Sequence, residues 1–138
     1  MCHRIFASDY TKRFFLADEV PEELQSAECA LSLDVVYHLV EDHVYNTYMK
    51  RLFASATRFV VIYTWNVEED SPIDGGHVRH RAVLRWAAEN IDGWTLWKVV
   101  KNDATRDGKD TYPHFFIYTP KYKSNDLAGQ CHSHMNGL

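Results

Sequence analysis

One stretch, ALSLDVVYHLVED from Ala30 to Asp42, constrains this chain more than any other. It is a nearly continuous apolar run that ends in a carboxylate, a phenol and an imidazole. Strands buried on both faces read as continuous runs of Val, Ile and Leu, and open α/β sheets bind ligands at the carboxyl ends of their strands. The pattern predicts a buried strand whose end opens onto Asp34, Tyr37 and His38.

Asp42 then fits a helix N-cap. Val44, Tyr45, Tyr48, Met49, Leu52 and Phe53 recur at helical spacing, and Lys50, Arg51 and Arg58 place positive charge toward the helix C-terminus. A second strand from Arg58 to Trp65 follows, β-branched and aromatic without alternation, as in a strand covered on both faces. A strand, a helix and a strand in this order form a βαβ unit with a parallel pair.

On either side the signals are shorter. Met1 to Ser8 reads as the last turns of a helix, Arg13 to Ala17 as a buried strand, and Pro21 to Ser26 as a short helix with Glu22 and Glu23 at its start. After the loop Asn66 to Gly76, a helix is predicted from His77 to Asn90, burying Val83, Leu84, Ala87, Ala88 and Ile91 and stopped by Asp92-Gly93. Trp94 to Val100 and His114 to Thr119 read as strands joined by the polar loop Lys101 to Pro113. With no helical pattern between them, they should pair antiparallel at a sheet edge. Trp86, Trp94 and Trp97, with Phe115 and Phe116, are read as core and edge packing. One α/β domain over residues 1–120 and a polar tail over 121–138 follow.

At 138 residues the chain fits a single core. A net charge of -4 supplies no basic field for a phosphate backbone, so nucleic acid is not an expected partner. Cys2, Cys29 and Cys131 are odd in number and far apart, which fits a reducing cytoplasm rather than a disulfide framework. No run reaches membrane-spanning length, and Met1 to Phe6 has no signal-peptide pattern.

The candidate site residues follow from position. Asp34 sits in an apolar run, where an unpaired carboxylate is costly, so it needs a partner or a polar cleft. His38 suits a general base for an acceptor hydroxyl or amine, and equally suits a helix cap. Trp65 and Asn66 follow the second parallel strand on the same edge, and Trp65 fits either a cleft wall or a core cover. His77, Arg79, His80 and Arg81 are dense in charge. Arg binds carboxylate and phosphate in bidentate fashion, so Arg79 and Arg81 with His77 fit a substrate-anion contact as well as a solvated face. His77 with His80, and Cys131 with His132 and His134, do not add up to four converging zinc ligands, so no metal site is expected.

The order of elements resembles the C-terminal two-thirds of a class I S-adenosylmethionine-dependent methyltransferase. Leu31 to Asp42 looks like that family's fourth strand and the turn after it, Arg58 to Tyr63 like its fifth strand, and His77 to Arg81 with the tryptophan-containing helix like a segment of some bacterial members. The resemblance spans roughly Met1 to Pro120. It implies a truncated Rossmann-like α/β sheet, mainly parallel with a C-terminal antiparallel pair. It also implies S-adenosylmethionine as cofactor, Asp18 toward the adenine amino group, Asp34 on the cofactor edge, and Tyr37 and His38 as catalytic residues. The family's glycine-rich turn after the first strand has no counterpart among Gly75, Gly76, Gly93, Gly108, Gly129 and Gly137. By analogy the first strand, first helix and second strand are missing.

Two functions follow as expectations: a methyltransferase, or a piece of one, acting on a small-molecule acceptor, or a non-catalytic interaction protein built on that fold. In the second, the edges left open by the missing strands invite a homodimer or a complementing chain.

Overall fold

The βαβ unit forms where the apolar pattern puts it. In the computed structural model, which describes residues 2–102 and 113–121, β1 is Ala27–Leu33, α2 is Asp42–Ala54 and β2 is Ala56–Thr64. A short helix, α1 (Cys2–Ile5), comes before them, and α3 (Val83–Asn90), β3 (Trp94–Val100) and β4 (His114–Pro120) follow. β1 and β2 pair in parallel, Ala30 beside Val60 and Leu33 beside Tyr63. β4 lies antiparallel to both β2 and β3, giving the order β1-β2-β4-β3. The antiparallel pair is as expected. With one parallel and two antiparallel pairings, however, the four-stranded sheet is mixed rather than mainly parallel. The polar tail beyond Lys121, with Cys131, His132 and His134, and most of the Lys101–Pro113 loop lie outside the described residues.

Three local expectations are corrected. Arg13 to Ala17 forms no strand, because a strand needs a neighbour to bond. The backbone bonds of this segment are local ones, Phe6 to Cys2, Asp9 to Phe6, Lys12 to Asp9 and Glu19 to Leu16, and the Arg51 guanidinium takes the Ala17 carbonyl. The helix expected over Pro21 to Ser26 is a single 3₁₀ turn, Glu22–Leu24. The helix expected from His77 begins only at Val83. Its first six residues are spent on other bonds: Arg79 N–H donates to the Tyr37 carbonyl at 2.8 Å, Ser71 N–H to the His80 carbonyl at 2.8 Å, and Val67 N–H to the Arg81 carbonyl at 3.4 Å. Those pairings need extended backbone, so the segment lies along its neighbours instead of coiling.

Among the described residues the core occupies one side of the sheet. Tyr45, Met49, Leu52 and Phe53 of α2 and Val83 and Ala87 of α3 pack on Val60 and Ile62 of β2 and on Phe116 and Tyr118 of β4. Tyr45 meets Trp86 edge-on at 5.3 Å, joining the helices, and Phe53 meets Trp94 at 5.7 Å and Tyr118 at 5.1 Å. Ser32, buried at the β1 position facing α2, accepts a hydrogen bond from the Tyr48 hydroxyl at 2.9 Å. Alternate residues project from the opposite face. There Leu31 is 59% and Leu33 48% exposed, and Trp97, read from sequence as packed, is 62% exposed. β1 is therefore not covered on both faces: both longer helices lie on the same side.

Candidate functional site

Parallel pairing brings the carboxyl ends of β1 and β2 to one edge, and the chain turns sharply there. Asp34 adopts φ +56°, a left-handed conformation that Asp tolerates better than most residues. Its N–H still reaches the Tyr63 carbonyl at 3.2 Å, so β1 is paired to its last residue. The turn releases the chain into a 3₁₀ segment, Val36–His38, which buries Val36 in the core and directs Tyr37 and His38 outward.

The loop 66–82 then folds back over this edge. The Tyr37 hydroxyl donates to Asp34 Oδ1 at 3.2 Å, so the carboxylate has the partner its position demanded. Desolvation, together with the Asp34 charge, holds the Tyr37 phenol above its ordinary pKa, so it stays a donor. Tyr37 touches His38 at 4.4 Å between ring centroids, Trp65 at 5.3 Å and His80 at 6.0 Å. Trp65 and His80 are 5.1 Å apart, and His38 stacks on His77 at 6.0 Å with 12° between planes. Five rings from three segments thus line one edge.

Imidazole protonation follows from the acceptors. His38 Nδ1 lies 3.0 Å from the His77 carbonyl oxygen, and His77 Nδ1 lies 2.8 Å from that of Gly75. A carbonyl only accepts, so each Nδ1 carries a hydrogen, and in the neutral form of either ring the lone pair is on Nε2. His38 is exposed. The edge therefore holds an oriented imidazole base beside a carboxylate and a phenol, the set needed to draw a proton from a hydroxyl or amine.

Arg79 and Arg81, expected at a substrate anion, are held instead by carboxylates of the chain. Arg81, 4% exposed, donates to Asp42 Oδ1 at 2.6 Å, to Asp70 Oδ2 at 3.2 Å, and to the Leu39 and Val40 carbonyls at 3.1 and 2.8 Å, with its cation 4.3 Å from the Tyr45 ring centre. Arg79 shares Asp42 at 2.8 Å and lies 3.6 Å from Asp70. Asp42 is the first residue of α2 and does not act as its cap. The hydrogen bond from Arg81 is the main cause that holds its carboxyl below the usual range. Asn66 is likewise committed: its Oδ1 accepts the Leu84 N–H at 2.8 Å, while Asp70 Oδ1 takes the Ala82 N–H at 2.9 Å, so both finish the start of α3. These five residues, Arg79, Arg81, Asp42, Asp70 and Asn66, position the loop that carries His77 and His80. Asp70 is the functional residue that sequence reasoning missed, because one carboxylate in a loop rich in Glu and Asp carries no distinguishing signal.

Asp18 is not at this edge. It lies 3.7 Å from Arg51 in the last turn of α2, beside the start of both parallel strands. Seven strand residues, roughly 20 Å, separate that end from Asp34. A cavity of about 550 Å³ lies there too, between residues 17–26 and the second half of α2, with Val20, Leu24 and Leu52 as walls and Arg51 at its side. Among the described residues no glycine lies in the turn between β1 and α2; Gly75 and Gly76 lie in the long loop between β2 and α3, well past the end of β2, and Gly93 joins α3 to β3. Asp18 and Asp34 therefore lie at opposite ends of the parallel strand pair. Among the described residues no group of three His, Cys, Asp or Glu is placed to hold a metal ion, and no helix is long and apolar enough to cross a membrane.

No protein-family model matches the sequence, and no curated protein or solved structure matches it.

Proposed function

We propose that this chain is the acceptor-side part of an S-adenosylmethionine-dependent methyltransferase domain, acting on a small-molecule hydroxyl or amine. The observation that carries the reading is the gathering of Asp34, Tyr37, His38, Trp65, His77 and His80 at the carboxyl edge of a parallel strand pair, where α/β sheets bind ligands. His38 is the residue that takes the acceptor's proton, at Nε2. Tyr37 and Asp34 orient the acceptor by hydrogen bonding, and Trp65 with His80 walls the edge against water. Arg79, Arg81, Asn66, Asp42 and Asp70 hold the overlying loop in place.

Asp34 remains for a cofactor hydroxyl, whereas Asp18 is too remote to share the ligand. Binding of S-adenosylmethionine by this chain alone is accordingly weak. Calorimetric titration of the purified protein tests this: a dissociation constant in the millimolar range, weakened further by Asp34→Ala, is expected. No heat at about 10 mM ligand, the top of the range a half-formed site still registers, rejects cofactor binding by this edge.

A further inference from the structure

Among the described residues no helix packs on the other side of the sheet, a face that the proposed site does not use. Its rows run across all four strands in register: Leu31 beside Val61 beside Ile117, and Leu33 beside Tyr63 beside Phe115, with Val100 closing the second row on β3. Trp97, at the irregularity in β3, lies 6.2 Å from Phe59 on this same side. Lys98, opposite Ile117, is the one charged side chain in these rows, and it sits on the edge strand.

We infer that this face is covered by a second copy of the chain, sheet against sheet. Two observations select that occupant. Apart from Lys98, the charge near the face is Arg58, 5.5 Å from the Phe59 ring and already paired with Glu28 at 3.3 Å, which disfavours an acidic or basic partner and leaves apolar, shape-driven pairing. Its extent also fits: from strand spacing and rise, four strands by six residues make roughly 20 Å by 20 Å, about 400 Å² in projection per copy. Two faces bring about 800 Å² together. Side chains standing off the sheet raise the accessible area removed toward the roughly 1,200 Å² at which specific dimers begin. Exposed apolar patches of this size on soluble chains mark interaction sites.

Of the two-fold axes that can lie between the sheets, one along the strands brings the exposed Trp97 over β1 of the mate rather than over its β3. That axis sets β1 of one copy over β3 of the other, so the protruding Trp97 of each meets Leu31 of its mate, large against small. Each pairing occurs twice.

Sedimentation velocity of the full chain between about 1 and 200 μM, the range for an interface of this size, tests the inference. The unmodified chain is expected to dimerise. Leu31→Lys and Trp97→Glu should each raise the dimer dissociation constant at least tenfold, with far-UV circular dichroism unchanged. Mixing the two variants should restore a dimer, because Lys meets Glu at one contact and the original pair survives at the other. If either variant fails to fold, Val100→Lys on the edge strand takes its place and should likewise dissociate the dimer. A monomeric chain throughout the range, variants that remain dimeric, or a mixture that does not recover would overturn the arrangement.

Discussion

His38 donates its Nδ1 proton to the main-chain carbonyl of His77 at 3.0 Å, across thirty-nine residues of sequence. One bond thereby ties the turn after β1 to the loop after β2 and fixes which nitrogen of His38 faces solvent as a base. Two-bond ¹H–¹⁵N spectra should show neutral His38 as the Nδ1–H tautomer. The opposite tautomer would remove His38 as the base.

Arg81 is the electrostatic centre of the structure. Replacing it with Met removes one donor each from Asp42, Asp70 and the Leu39 and Val40 carbonyls, while Arg79 still reaches Asp42, and lost hydrogen bonds of this kind cost about 1–3 kcal/mol. Arg79→Met, on a more exposed guanidinium, should cost about 1 kcal/mol or less. Urea unfolding of both variants checks the ranking, and equal losses would contradict it.

The acid limb of stability should depend on Asp42. Its folded-state pKa lies below the ordinary 3.8, chiefly through the Arg81 hydrogen bond. A group depressed in this way stabilises the fold above its unfolded pKa, and the contribution fades as pH falls through the folded value. Asp42→Asn should therefore destabilise the protein at neutral pH and flatten the loss of stability below about pH 4, the unfolded carboxylate range. Urea midpoints across that range read the difference. An acid limb of unchanged steepness would contradict it.

Tyr45 and Tyr118 bury hydroxyls that have no hydrogen-bond partner among the described residues. Burial pushes both phenols above their ordinary pKa of 10, so both stay neutral in the fold. An unpaired buried hydroxyl costs free energy, and Tyr45→Phe or Tyr118→Phe should leave stability unchanged or raise it by up to about 1 kcal/mol. Met49→Ala, in the same core, should lose about 2–5 kcal/mol. Thermal denaturation distinguishes them, and a loss above about 1 kcal/mol for either Phe variant, the size of a net hydrogen bond, would reveal a bond to that hydroxyl.

Legibility from sequence followed the range of the interaction. The strand in the run Ala30 to Val36, α2 and β2 are local patterns, so strand, helix and parallel pairing could be read directly, although β1 begins earlier, at Ala27, and ends at Leu33. Arg13 to Ala17 has the same local signal but no strand beside it, and propensity without a partner gives no sheet. His77 to Ala82 failed for the converse reason: its helical spacing was overridden by bonds to Tyr37, Ser71 and Val67, none close in sequence. The edge residues Asp34, Tyr37 and His38 were visible because they end a strand. That Arg81 would be buried was not, because its partner Asp70 sits eleven residues away in a loop without periodicity.

The most direct measurement is a ¹H–¹⁵N correlation spectrum of the assigned protein titrated with S-adenosylmethionine. Shifts confined to Asp34, Tyr37, His38, Trp65, His77 and His80 are the expected result. Shifts centred on Arg51, Leu24 and Val20 at the opposite end, or none at all, would contradict a ligand edge at the carboxyl ends of β1 and β2.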